Sequence, residues 1–420
     1  MADAKATQET KHWHRQLPGY LLRFGFRGIG NVAKFVLTLY TARYLGLAEV
    51  GIYGLVTAAT NMSPALLGFG LTEWTVRRIV PMRADEALQA MTARMALATA
   101  AHVIFQPLLW AANFALGAPV PVAWAWLIAP IIWLEHLWFD LHDMLTARGH
   151  LAFASVLQFI RAAVWPLAVV ALGVLYPPAR TLEAILIGWL VGMVLTWIVA
   201  AGWFLRQGVR PLFRWSEVAA QFSHIRASAF LYLRNITATA SLYIDRYLIS
   251  LTLGLEMTGV YVFFWSIANV VQGMVVSVVV HPQAAALISA VAGADAARLR
   301  EAKRRVLLEA AAWTVLMSVG AFAGIVILLP FMQKPLLEDH LWLFAAILIA
   351  TWLRIAVDKY GYLLLALHRD RAILSASVVG VAVSVVLNLI LIQLFGLSGA
   401  AAAFLLTGAT VLALEVALSR

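Results

Sequence analysis

The stretch ARYLGLAEVGIYGL, residues 42–55, returns in the second half of the chain as DRYLISLTLGLEMTGVYVF, residues 245–263. At an offset of 208 residues, Leu45, Gly46, Leu47, Gly51 and Tyr53 meet Leu253, Gly254, Leu255, Gly259 and Tyr261, and Asn61 meets Asn269. Leu, Gly and Tyr at fixed spacing, half a chain apart, mark an internal repeat. Each copy closes one long apolar run and opens the next, with glycines where backbones can approach closely. Both copies follow an odd-numbered run, so the two halves share one orientation. Two parallel six-helix repeats are a recurring transporter plan, with the substrate path at the repeat interface near the midplane.

Composition puts the repeat in the bilayer. Apolar residues make up 63% of the 420 and charged residues 12%, with a mean hydropathy of +0.85. A soluble domain has about 45–50% apolar and about 25% charged residues. A soluble enzyme, a nucleic-acid reader and a disordered scaffold are therefore excluded. A spanning helix needs about 20 mostly apolar residues. The apolar runs here are long and unbroken rather than short and alternating, so the spans are helices and not the strands of a β-barrel. The expected fold is an all-α integral membrane protein of 12 transmembrane helices in two parallel six-helix repeats. The runs place the first six at 18–43, 49–70, 88–116, 119–146, 152–175 and 182–205. The second six fall at 225–252, 257–285, 306–330, 340–366, 372–395 and 398–418. The domains expected are a cytoplasmic N-terminal tail (1–17), an N-lobe (18–205), a cytoplasmic linker (206–224) and a C-lobe (225–420).

Loop charge orients these spans. Arg77, Arg78, Arg83, Arg148, Arg206 and Arg214 lie in loops of one side, and only Arg43, Arg180 and Lys334 in loops of the other. Cytoplasmic loops carry the excess of Lys and Arg, so both termini are expected in the cytoplasm. The net charge of +10 then reflects topology and needs no nucleic acid. The polar N-terminal segment is not expected to act as a cleavable signal peptide. With no Cys there is no disulfide framework, thiolate nucleophile or Cys-ligated metal. No G-x-x-x-x-G-K-[ST] occurs, which excludes a nucleotide-driven pump within this chain. The longest hydrophilic stretches, 206–224 and 288–305, are too short for a folded extramembrane domain.

The motifs at 42–55 and 245–263 resemble the corresponding signatures of the polysaccharide-transport (Wzx-type) flippases of the multidrug/oligosaccharidyl-lipid/polysaccharide exporter superfamily. The expected helix count, the length and the short loops match that family along nearly the whole chain. The resemblance implies a flippase that moves a polyprenyl-pyrophosphate-linked glycan from the cytoplasmic to the outer leaflet by alternating access. It implies a bacterial inner membrane setting, membrane lipids as surroundings, and a polysaccharide polymerase and chain-length machinery as neighbours. No catalytic residue, cofactor, metal or nucleic-acid partner is expected.

Ionisable residues within the spans are the site candidates, because such residues are costly in lipid and face a bundle interior or a wet cavity. Tyr20, Arg23, Arg27, Asn31, Lys34, Thr38 and Thr41 fall within about 80° of one face of the first helix, at about 100° per residue. Together with Arg161, Arg234 and Arg354, the residues Arg23, Arg27, Asn31 and Lys34 form the expected cationic cavity. Arg suits phosphate through its planar fork. Arg354 precedes Asp358 by four residues, so mutual neutralisation along the helix is the other reading there. Arg94, near the inner end of the third span, reads as an interface residue. Tyr20 and Trp165 are the candidates for stacking on sugar rings. Asp245, Asp358, Asp140 and Asp143 are the candidates for ion coupling. His136, Asp140 and Asp143 share a face, and pairing of these acids with loop arginines at the interface competes with a cation site there.

Two other functions remain open at this stage. A drug/cation antiporter of the same superfamily would prefer an acidic and aromatic cavity, which three cations on the first helix disfavour. A membrane-embedded polysaccharide polymerase or ligase would display a sizeable outer loop, and the outer loops here are short.

Overall fold

A computed structural model describes residues 28–208, 213–280, 283, 291, 296–367 and 369–419. Every regular element among the described residues is helical. That is what lipid demands, since an α-helix satisfies all its backbone polar groups internally. Among the described residues, ten helices are long and apolar enough to cross a membrane.

In chain order, helix α1 (28–40) runs into a π-helical turn at Thr41–Leu45, and α2 spans Leu47–Leu67. Next come α3 (Leu71–Ile79), α4 (Ala84–Ala115), α5 (Ala125–Ala147), α6 (Leu151–Leu175) and α7 (Leu182–Arg206). A short α8 (Trp215–Ser223) follows. The stretch Ala229–Val280 is continuous in hydrogen bonding but bends at Gly254, which separates α9 (229–253) from α10 (255–280). The chain then forms α11 (Ala296–Met332), α12 (Pro335–Asp339), α13 (Leu341–Ala366), α14 (Asp370–Phe395) and α15 (Leu397–Leu418).

The repeat is visible in the backbone. Gly46 has φ 141° and ψ 172°, and its equivalent Gly254 has φ 84° and ψ 176°. Both conformations suit glycine alone, and each turns the chain between two helices. The two motif copies also pack on each other. A Cβ on Gly259 would lie 1.8 Å from the Leu47 carbonyl oxygen, and one on Gly51 would lie 2.3 Å from that of Leu255. Positions 47 and 255 are equivalent, as are 51 and 259. The contact is thus reciprocal, the signature of a local two-fold relation. A second echo lies deeper. Trp133 Nε1 donates to Thr99 Oγ1 at 3.0 Å, and Trp352 Nε1 donates to Ser318 Oγ at 2.9 Å. Both pairs are 34 residues apart and each joins a long helix to the next long helix, so α4/α5 correspond to α11/α13 with the offset lengthened to 219.

The chain forms two compact units. One holds residues up to 37, 71–106 and 124–226; the other holds 38–70, 107–123 and 227–420. The units cut across a simple division at 206–224. The α1–α2 corner, 38–70, belongs with the second unit because the glycine contacts draw it against α10.

Several expectations are corrected. The stretch 71–79, expected as loop, is helix α3, whose Leu71, Thr75 and Ile79 are buried at i, i+4 and i+8. The 206–224 linker contains α8. This helix is fastened within the first unit by an Arg78–Glu217 ion pair at 2.7 Å and by Gln221 donating to the Ala90 carbonyl at 2.8 Å. Helix α11 begins at Ala296, ten residues ahead of the expected 306, because its charged first turns lie outside the apolar run that apolarity detects. The first expected span, 18–43, and the tail, 1–17, start outside the described residues.

Candidate functional site

In the first unit the central feature is an arginine on an irregular helix. Between 160 and 164, α6 widens into a π-helical turn that carries Arg161. Such single turns recur at functional sites. Arg161 Nε donates to Glu135 Oε2 at 2.6 Å, and Nη2 reaches the same oxygen. The other oxygen, Oε1, accepts from Trp189 Nε1 at 2.7 Å. Arg161 Nη1 donates to Gln158 Oε1 at 3.2 Å, and the guanidinium lies 5.1 Å from the Phe139 ring centre. Glu135 is 1% exposed and Arg161 7%. Helix α1 approaches closely, since a Cβ on Gly30 would sit 2.9 Å from that of Ala162. One turn along α1, the half-buried Lys34 lies within electrostatic range of both Arg161 and Glu135. Asn31, also half-buried, lies between Gly30 and Lys34 on the helix.

Two sequence expectations change here. Arg161 was expected as a cation open to a cavity, and it holds a buried carboxylate. Trp165, expected to stack on sugars, packs inside the unit. Its ring lies parallel to that of Trp189 with centroids 5.4 Å apart, its indole donates to the Arg161 carbonyl at 2.7 Å, and Gly192 leaves room for it.

A second polar line runs through the same unit. Asp140 accepts from Thr72 at 2.7 Å and pairs with Arg94 at 3.0 Å. Arg94 Nη2 lies 3.3 Å from His136 Nε2, His136 Nδ1 lies 2.9 Å from His102 Nε2, and His102 Nδ1 lies 3.0 Å from Gln106 Nε2. Arg94 is fully buried, which corrects the reading of it as an interface residue. Its partner is an acid on the next helix, and the pairing offsets the cost of burying each charge alone. Asp140 is buried as well, so it does not pair with a loop arginine. Asp143 is 60% exposed and lies 3.5 Å from His142. Among the described residues no group of His, Asp and Glu is arranged to hold a metal.

In the second unit, Arg234, Asp358, Tyr362 and Glu415 line a cavity of about 230 Å³. Asp358 accepts from Gln272 Nε2 at 2.8 Å, while Arg354 reaches Asn269 Oδ1 at 3.5 Å. These polar contacts of both therefore go across to α10. Asp245, expected as an ion-coupling residue, accepts from the Tyr261 hydroxyl and from the Arg246 backbone N–H. Arg246 lies 3.9 Å from the Trp265 ring centre. Tyr20, Arg23 and Arg27 lie outside the described residues.

The sequence reading brought together Lys34 and Arg161 and missed Glu135, Trp189, His102 and Glu415. Glu135 was legible only as part of the run E-H-L-W-F-D, whose other face drew attention. Trp189 carried no signal among 16 tryptophans.

The profile of the polysaccharide biosynthesis protein family matches residues 20–282. The chain belongs to this family. No curated protein sequence matches it. Among solved structures, the family member is similar to an inward-facing multidrug resistance MATE transporter of the MOP superfamily, with a TM-score of 0.71 and 13% identity over 96% of this chain and 97% of that one. It is also similar to the lipid II flippase MurJ, in an inward closed conformation, with a TM-score of 0.69 and 13% identity over 95% of this chain and 87% of that one. A third likeness is the MATE multidrug transporter DinF-BH, with a TM-score of 0.62 and 19% identity over 95% of this chain and 93% of that one. These likenesses show that the chain shares the fold of these proteins, as the motifs at 42–55 and 245–263 led us to expect. With ten helices among the described residues long and apolar enough to cross a membrane, this family member is a multi-pass membrane protein.

Proposed function

We propose that this protein flips a polyprenyl-pyrophosphate-linked oligosaccharide from the cytoplasmic to the outer leaflet of a bacterial inner membrane, for cell-surface polysaccharide synthesis. It works by alternating access of two parallel six-helix repeats, with 12 spans and both termini in the cytoplasm. The observation that carries the reading is the pair of membrane-embedded cations Lys34 and Arg161 in a member of the polysaccharide biosynthesis family. A pyrophosphate brings about two negative charges, and a low-dielectric site that accepts it needs charge-assisted donors. By sequence spacing Arg23 and Arg27 share the helical phase of Asn31 and Lys34, and Arg234 and Arg354 supply cations in the second unit. Translocation is transport rather than catalysis. Outward movement of negative charge is favoured by about 2.3 kcal/mol per charge per 100 mV of inside-negative potential, so the potential alone supplies a drive. A polymerase and chain-length machinery act on the delivered glycan.

The second reading, export of a cationic drug in exchange for an ion, draws on Asp358 and Glu415 in the 230 Å³ cavity. Reconstituted vesicles separate the two. Flipping of a fluorescent polyprenyl-pyrophosphate oligosaccharide under an imposed potential is the expected result. Transport of an organic cation with no glycolipid flipping would overturn the proposal.

A further inference from the structure

The donor set around Glu135 is the set a phosphate would take. An arginine fork meets one carboxylate oxygen, an indole N–H meets the other at 2.7 Å, and an ammonium lies within electrostatic range. Forked guanidinium donors bind carboxylate and phosphate by the same geometry. We propose that Glu135 is the resident anion of the Arg161–Trp189 cradle, holding in the unloaded protein the place that a phosphate oxygen takes when cargo binds. The proposal rests on the flippase reading and adds to it a positioning and release residue.

A buried arginine without a partner is strongly destabilising, so an empty phosphate cradle needs an anion of its own. Exchange of one anion for another keeps the net free energy of capture small, and cargo then leaves at the far leaflet as the carboxylate returns. A cradle with no resident acid would hold pyrophosphate tightly and release it slowly. The scaffold does not itself require an acid here. Trp133-Leu134-Glu135 corresponds, through the matching Trp133–Thr99 and Trp352–Ser318 bonds, to Trp352-Leu353-Arg354. The same position on the equivalent helix carries the opposite charge. A merely structural Glu135, joining α5 to α6, would make a different prediction: its loss would loosen the unit and weaken any ligand that Arg161 holds.

The test uses the full-length protein in lipid nanodiscs with inorganic pyrophosphate as the probe, followed by titration calorimetry. Glu135→Gln keeps the shape and removes the charge. Glu135→Asp keeps the charge and draws it back from the fork, which guards against a Gln variant that fails to fold. Glu135→Gln is expected to bind pyrophosphate about tenfold tighter than the wild type, the scale of one charge-assisted contact relieved of competition, and Glu135→Asp to fall between. In flipping assays Glu135→Gln should lower the half-saturating glycolipid concentration and the maximal rate together, a split that simple destabilisation does not produce. If both variants bind pyrophosphate as the wild type does or more weakly, while Arg161→Gln abolishes binding, the resident-anion proposal is overturned and the flippase reading stands. If neither wild type nor variants bind pyrophosphate, both fall.

Discussion

The two units use one scaffold device and load it with opposite charge. In the first, Trp133 bonds to Thr99 across α4 and α5; in the second, Trp352 bonds to Ser318 across α11 and α13. Two residues beyond each tryptophan stand Glu135 and Arg354, and seven beyond stand Asp140 and Lys359. Glu135 is clasped by Arg161 and Trp189, with hydrogen bonds of 2.6 and 2.7 Å. Arg354 makes a longer contact, 3.5 Å to Asn269, with Trp265 beneath it at 6.0 Å. The indole–hydroxyl bond holds a pair of helices in register, and the charge beyond it can differ because its partner comes from a third helix. A duplicated fold thus keeps its packing and diverges in its electrostatics.

The largest effect should come from transplanting one unit's residue into the other. Glu135→Arg puts a third cation beside Arg161 and Lys34 in place of the carboxylate. Taking the anion from a buried ion pair costs about 3–5 kcal/mol, enough to eliminate most folded protein, and the yield of monodisperse detergent-extracted material measures it. A normal yield would mean that the site is wetter than the 1% exposure of Glu135 indicates.

Function separates the units next. Arg161→Gln should reduce glycolipid flipping in vesicles about a hundredfold, equivalent to about 2.7 kcal/mol. Arg354→Gln, with its longer contact, should cost about tenfold. Equal losses would place the two cations on the same footing and erase the contrast between the units.

The repeat contact is tested by matched substitutions. Gly51→Ala and Gly259→Ala each insert a methyl against a backbone carbonyl, and overpacking of this kind costs about 1–3 kcal/mol. Thermal denaturation should show similar losses for both. If one is tolerated and the other is not, the contact is not reciprocal. The smallest effect belongs to Trp133→Phe and Trp352→Phe. Each removes one indole–hydroxyl hydrogen bond, worth about 0.5–1.5 kcal/mol, and the two shifts in midpoint should agree.

Legibility followed physical cause. The 42–55 and 245–263 motifs were readable because glycine alone fits a backbone approach of this kind, so spacing preserved in sequence is spacing preserved in space. Gly46 and Gly254 adopt matching conformations, with positive φ and ψ near 180°. The short helices α3 and α8 were not readable. Each is nine residues long, and what stabilises them are partners distant in sequence, such as Glu217 for Arg78 and Ala90 for Gln221. At the site, Lys34 and Arg161 stood out because cations in apolar runs are rare. Glu135 did not, since a carboxylate near the middle of a span carries no indication of which arginine will meet it. Arg94 misled for the same reason, as its position along the helix gave depth but not the acid on α5 that lets it stay there.

The sequence by itself determined that this chain crosses the membrane in helices, that it repeats, and that several cations lie where lipid would not accept them. Those conclusions rest on local quantities: transfer free energy along the chain, glycine's conformational range and residue periodicity. Only the tertiary structure decided which charges meet. It gave Arg161 to Glu135, Glu135 also to Trp189, Arg94 to Asp140 and the histidine pair, and Asp245 to Tyr261. Pairing of buried charges depends on distances of a few ångströms between helices far apart in the chain, and helix packing, rather than sequence spacing, sets those distances.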